Sequence, residues 1–190
     1  MKEFDEIIGG KFGILKGGKN LVFIKTGRGG TIFGYGNKYL KICNLLYEKY
    51  GCTFVVSANP IDSLCDLEDE IRQIGEYVGE YDEIYFVGVS NGANVGAQQC
   101  WKIDKIKNAL LINGPIMINW HKTKSGAEKF KGEQIRFVYG DQDPSFQYVE
   151  ILEYIENDVC TYVTIKKEGH VLSGTALESV IFDFFDERMH

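Results

Sequence analysis

The chain has 190 residues, 44% hydrophobic and 25% charged, an ordinary globular composition that excludes a disordered tail. At this length one core can bury ~70% of the unfolded chain's surface, so no disulfide or metal staple is required. With 21 Lys and Arg against 27 Asp and Glu the net charge is −6. No basic run exceeds a lysine pair, which excludes a nucleic-acid partner.

The first twenty residues are rich in glycine and read as a hairpin, Glu6 to Ile8 and Lys11 to Leu15, at a sheet edge. Leu21 to Ile24 is a buried strand running into the glycine cluster 27–30. Tyr39, Ile42, Cys43 and Leu46 form one helical face, and Gly51 ends that helix. Thr53 to Val56 is a strand stopped by Asn59-Pro60, and the next helix turns Leu67, Ile71, Ile74 and Val78 inward. Ile84 to Val87 is a strand followed by a helix from Ala93 to Trp101, then comes the strand Ala109 to Ile112. Segment 114–133 reads as a short cap-like insertion or a plain surface loop. Ile135 to Tyr139 is a strand, and a helix carrying Tyr148, Ile151, Leu152 and Ile155 follows it. Val159 to Ile165 is the last strand. A closing helix buries Leu177, Val180, Ile181 and Phe184, with Thr175 and Glu178 at capping-box spacing. This alternation predicts a single doubly wound α/β domain over residues 1–190. Its sheet is mostly parallel, with helices on both faces and the hairpin at one edge.

The five cysteines (Cys43, Cys52, Cys65, Cys100, Cys160) are odd in number and contain no C-x-x-C pair. Lying on or beside apolar stretches, they read as buried free thiols of a reducing compartment. No Cys/His cluster has zinc spacing, so no metal is expected. Acids stand near the N-terminus where a signal peptide would be apolar, and no run reaches ~18 apolar residues. A cytoplasmic chain with no membrane partner is expected.

The strongest chemical signal is Gly88-Val89-Ser90-Asn91-Gly92, between a strand and a helix. A serine on such a tight turn is forced into strained backbone geometry with its hydroxyl free. Flanking side chains larger than glycine would collide with the neighbouring strand and helix. A serine needs a base. Of the three histidines, His190 ends the chain and His121 stands away from any strand end. His170 follows the last strand, on the same sheet edge as Ser90. The base needs an acid to fix its tautomer, and Gly140-Asp141-Gln142-Asp143-Pro144 offers two. Asp143 is preferred, because two further residues let the chain turn back toward His170; Asp141 is the alternative. Asp143 before Pro144 also suits a helix N-cap.

Two nucleotide-binding signals fail. Residues 13–19 match most of a P-loop, but Asn20 stands where Ser or Thr belongs and a strand follows. Ile32 occupies the third glycine position of a dinucleotide fingerprint.

From the strand at Leu21 to the final helix, the chain resembles the α/β-hydrolase superfamily. The resemblance implies that Ser90 is the nucleophile, Asp143 the acid and His170 the base. Thr26-Gly27-Arg28-Gly29-Gly30 is similar to that family's oxyanion loop, with Thr26 in place of its histidine. The implied oxyanion donors are the backbone N–H groups of Asn91 and Arg28, with Gly29 as the rival. The short insertion 114–133 would make a minimal lid, and Gly29, Trp120 and His121 are expected in the pocket. The resemblance implies a cofactor-free serine hydrolase for small carboxylic esters or thioesters. An amidase, peptidase or acyltransferase would use the same residues, and a non-catalytic binding protein would share the fold.

Overall fold

The computed structural model describes residues 1–62 and 64–189; His190 lies outside them. Strands β1 (Glu6–Ile8), β2 (Phe12–Leu15), β3 (Gly18–Lys25), β4 (Cys52–Ser57), β5 (Ile84–Val89), β6 (Ile106–Ile112), β7 (Gln134–Gly140) and β8 (Cys160–Ile165) form one sheet. Their order is β1-β2-β4-β3-β5-β6-β7-β8. The predicted hairpin, β1 and β2, is antiparallel and lies at one edge, while β4, β3 and β5 to β8 pair in parallel. Helices α1 (Lys38–Tyr50), α2 (Leu67–Val78), α3 (Asn91–Gln99), α4 (Trp120–Lys129) and α5 (Gly174–Asp186) cover the two faces.

The apolar runs arise because the central strands are buried on both sides. In β3, Leu21 and Phe23 pack with residues of α2, α3 and α4, whereas Val22 and Ile24 pack with α1 and α5. In β5, Ile84 and Phe86 face the first layer, and Tyr85 and Val87 the second. Gly51 ends α1 as expected. It adopts a left-handed φ of 66°, and its N–H donates to Tyr47 O.

Three expectations need correction. Segment 114–133 is neither a cap nor a plain loop, because it contains α4, the crossover helix between β6 and β7. The buried face of α4 is Thr123, Gly126 and Ala127. A Cβ on Gly126 would stand 2.1 Å from Ala97 O, so α4 packs closely on α3 through small residues that an apolar periodicity overlooks. The predicted helix after β7 is a run of 3₁₀ turns, Phe146–Tyr154. Its three-residue repeat buries Val149, Leu152 and Ile155 and leaves Tyr148 45% exposed. Finally, Ser173 and not Thr175 caps α5: its Oγ accepts from Ala176 N.

All five cysteines are free, four of them buried and Cys65 half-buried. Burial pushes the Cys52 and Cys65 thiols up to about 11 and that of Cys160 to about 12. Cys43 and Cys100 are raised further by the same cause.

Candidate active site

Because β3 to β8 run in parallel, the loops leaving their C-terminal ends meet along one sheet edge. The turn after β5 brings Ser90 there with φ 54° and ψ −120°. A non-glycine residue in that region carries roughly 1–3 kcal/mol of strain, which the surroundings must hold. Ser90 N donates to Ile112 O at 2.8 Å, and Ser90 O accepts from Ala93 N at 3.0 Å. The flanking glycines allow the approach. A Cβ on Gly88 would lie 2.5 Å from Gly92 O, and one on Gly92 would lie 2.2 Å from Lys25 O.

Ser90 Oγ lies 2.9 Å from His170 Nε2, and His170 Nδ1 lies 2.5 Å from Asp143 Oδ2. The Asp143 side chain is fully buried while that of His170 is 45% exposed. A carboxylate accepts only, so Nδ1 carries the proton and Nε2 is left to accept from the serine hydroxyl. The two acids that the sequence offered divide their work. Asp143 Oδ1 also accepts from Ser145 N at 2.6 Å, so it closes the turn ahead of the 3₁₀ run as well as holding His170. Asp141 Oδ1 accepts instead from Lys167 N at 2.7 Å, tying β7 to the start of the histidine loop.

That loop is fixed at two further points. Asn113, fully buried at the end of β6, donates through Nδ2 to Gly169 O and His170 O at 2.9 and 2.8 Å. Its Oδ1 accepts from Gly140 N at 2.9 Å. Glu168 accepts from both Ser173 N and Ser173 Oγ at 2.7 Å, and these two bonds hold its carboxyl below the usual range.

The glycine loop after β3 is folded by Gly30 N donating to Gly27 O and Gly29 N donating to Asn59 O at 2.6 Å. The Gly29 N–H is therefore occupied, which removes it as the rival oxyanion donor. Among the described residues the backbone N–H groups of Arg28 and Asn91 have no acceptor. Asn91 is the first residue of α3, where such an N–H is left over by helix geometry. Beneath the loop, Lys25 is 1% exposed. It donates to both Glu70 carboxylate oxygens at 2.9 Å, to Ser57 Oγ and to Ala58 O.

A cavity of about 240 Å³ opens beside Ser90 and His170, with Arg28, Gly29, Tyr39 and Leu172 in its wall. Among the described residues none from 114–133 lines it. Trp120 packs against the core under α3, and His121 lines a separate cavity with Cys65 and Gln98. The expectation that Trp120 and His121 flank the nucleophile is therefore corrected. They belong to α4, and His121 lies by Gln98 and Gln99 at the far end of α3 from Ser90. Among the described residues no cluster of three or more His, Cys, Asp or Glu side chains could hold a metal. No helix there is long and apolar enough to cross a membrane.

No family sequence model matches the chain, and no curated protein matches it. Solved structures do. Est1E from Butyrivibrio proteoclasticus is 15% identical with a TM-score of 0.73, over 98% of this chain and 97% of its own. The Pyrococcus furiosus esterase Pf2001 is 13% identical with a TM-score of 0.69, over 90% and 84%. XC6422 from Xanthomonas campestris, an α/β serine hydrolase without a lid, is 14% identical with a TM-score of 0.67, over 94% and 88%. The chain has the α/β-hydrolase fold.

Within this hydrolase fold the sequence reading missed the residues that hold the site together. Asn113 has a φ of 49°, and an asparagine before Gly114 at a strand end was the available signal, because asparagine tolerates that region. Asn59 gave only its place before Pro60, which marks a stop and no partner. Glu168 and Lys25 gave no signal, because their partners lie far away in sequence.

Proposed function

We propose that this protein is a serine hydrolase of small carboxylic esters or thioesters working through an acyl-enzyme. The observation that carries the reading is the continuous hydrogen-bonded line Ser90–His170–Asp143, with Ser90 on a strained turn. Ser90 Oγ attacks the carbonyl carbon as its proton passes to His170 Nε2. Asp143 stabilises the imidazolium through Nδ1. The tetrahedral oxyanion is met by the N–H groups of Arg28 and Asn91, each donor worth about 3 kcal/mol. Collapse expels the alcohol or thiol, which takes the proton from His170. Water then enters from the exposed side of His170 and attacks the acyl carbon while giving a proton to Nε2. Collapse breaks the bond to Ser90 Oγ, which takes that proton back and leaves the acid free. The exposed His170 leaves the acyl-enzyme unshielded from water, so hydrolysis is preferred to acyl transfer.

A fluorophosphonate probe tests the reading. Wild-type protein should label at Ser90, and Ser90→Ala should not. A panel of p-nitrophenyl esters of increasing chain length, with a thioester and an anilide, then defines the substrate. Absence of labelling in folded wild-type protein would overturn the reading and leave a binding protein.

A further inference from the structure

The cavity beside Ser90 has a charge that the acidic chain around it does not share. Arg28 and Lys38 both line it, and among the described residues no Asp or Glu side chain does. Neither cation lies within ion-pair distance of a carboxylate among those residues. Lys38, at the start of α1, is half-buried with its ammonium 5.0 Å from the centre of the Tyr39 ring. Burial with no counter-charge holds that ammonium below the usual lysine range.

Tyr39 lines the same cavity, is 4% exposed, and has no hydrogen-bond partner for its hydroxyl among the described residues. Burial pushes this phenol up to about 12, so at neutral pH it is a neutral donor. The half-buried cation costs free energy unless a counter-charge arrives, and the Tyr39 hydroxyl on the same cavity is free to donate to it. Both are donors, and so is the Arg28 guanidinium. The missing partner is an anion.

We infer that the cavity takes an ester bearing its own carboxylate-sized anionic group, which meets Lys38, Arg28 and Tyr39 while the scissile carbonyl lies at Ser90. The inference rests on the serine-hydrolase reading and deepens it. Ser90 and Lys38 line one cavity, so anion and carbonyl can belong to one molecule that reaches both.

The test uses two matched pairs at low ionic strength. For an anion on the acyl side, mono-4-nitrophenyl adipate is compared with its neutral methyl ester. For an anion on the leaving-group side, 4-acetoxybenzoate is compared with methyl 4-acetoxybenzoate. In at least one pair the anionic ester should show kcat/KM about tenfold higher, mainly through KM. Lys38→Met or Lys38→Gln should bring that ratio near one while leaving the neutral esters within about twofold. Raised salt should also compress the ratio. Neutral esters turned over as well as anionic ones by the wild type would overturn this inference alone. A preference that survives in both Lys38 variants would overturn it too. Absence of both turnover and fluorophosphonate labelling would remove the hydrolase reading, and this inference with it.

Discussion

Asn59 Nδ2 lies 3.0 Å from Asn91 Oδ1, and the same nitrogen donates to Thr26 O at 3.0 Å. One side chain just after β4 thus ties together the two segments that carry the N–H groups proposed as oxyanion donors. Asn59 N and O are also bonded to Gly30 and Gly29, so the backbone half of the junction survives side-chain removal. Asn59→Ala should lower kcat about tenfold, short of the 10²–10³ lost with a whole donor, and change KM little. Steady-state kinetics on a neutral ester measure this. A rise in KM at unchanged kcat would make Asn59 a substrate contact and remove it from positioning.

Ser90 offers a kinetic and a thermal reading at once. Ser90→Ala should lose ester turnover by at least ~10³ and keep the fold, because alanine suffers the same positive φ as serine. Ser90→Gly should be equally inactive but melt ~2–4 °C above Ser90→Ala, since glycine relieves about 1 kcal/mol of strain beyond its entropic cost. Equal melting temperatures would show that the turn stores no strain.

The two acids after β7 separate by the same logic. Asp143→Asn should lose ~10³–10⁴ in kcat, because an amide favours the wrong imidazole tautomer. Asp141→Ala removes one bond to Lys167 N and should cost about 1 kcal/mol of stability, with kcat within tenfold. A large kinetic loss from Asp141→Ala, with Asp143→Asn nearly silent, would exchange their roles.

Most of the fold was legible because its signals are local. Strands buried on both faces show as unbroken apolar runs, and the glycines around Ser90 show the turn. The Ser90, Asp143 and His170 positions were legible for the same reason, each lying in the segment that follows a strand. Helix α4 was hidden because Gly126, Ala127 and Thr123 pack by close approach and not by apolar bulk. The 3₁₀ run was hidden because residues 148–155 satisfy a helical stripe and a three-residue repeat equally well. Asn59, Asn113 and Lys25 act through partners that only the assembled sheet edge brings near.

The acid-side behaviour of the His170 loop follows from Glu168. Its carboxyl is held below the usual range in the fold by the two Ser173 bonds. The stabilisation is therefore complete above the ordinary glutamate value of ~4.3 and fades as pH falls through the lower folded one. Glu168→Gln should melt below wild type at pH 7, and the two curves should converge on acidification. Thermal scans across pH 3 to 7 measure this, and a gap that persists at the acid end would contradict the assignment.

The buried thiols have a use that chemistry gives them and catalysis does not. Cys43 and Cys52 sit under the layer of α1 and α5, and Cys100 and Cys160 under the layer of α2 to α4. With thiolate formation suppressed by burial, each can exchange with a disulfide reagent only when its own layer opens. The molecule therefore carries a pair of native reporters on each side of its sheet. Their relative exchange rates distinguish a chain that unfolds as one cooperative unit from one that sheds a single helical face first.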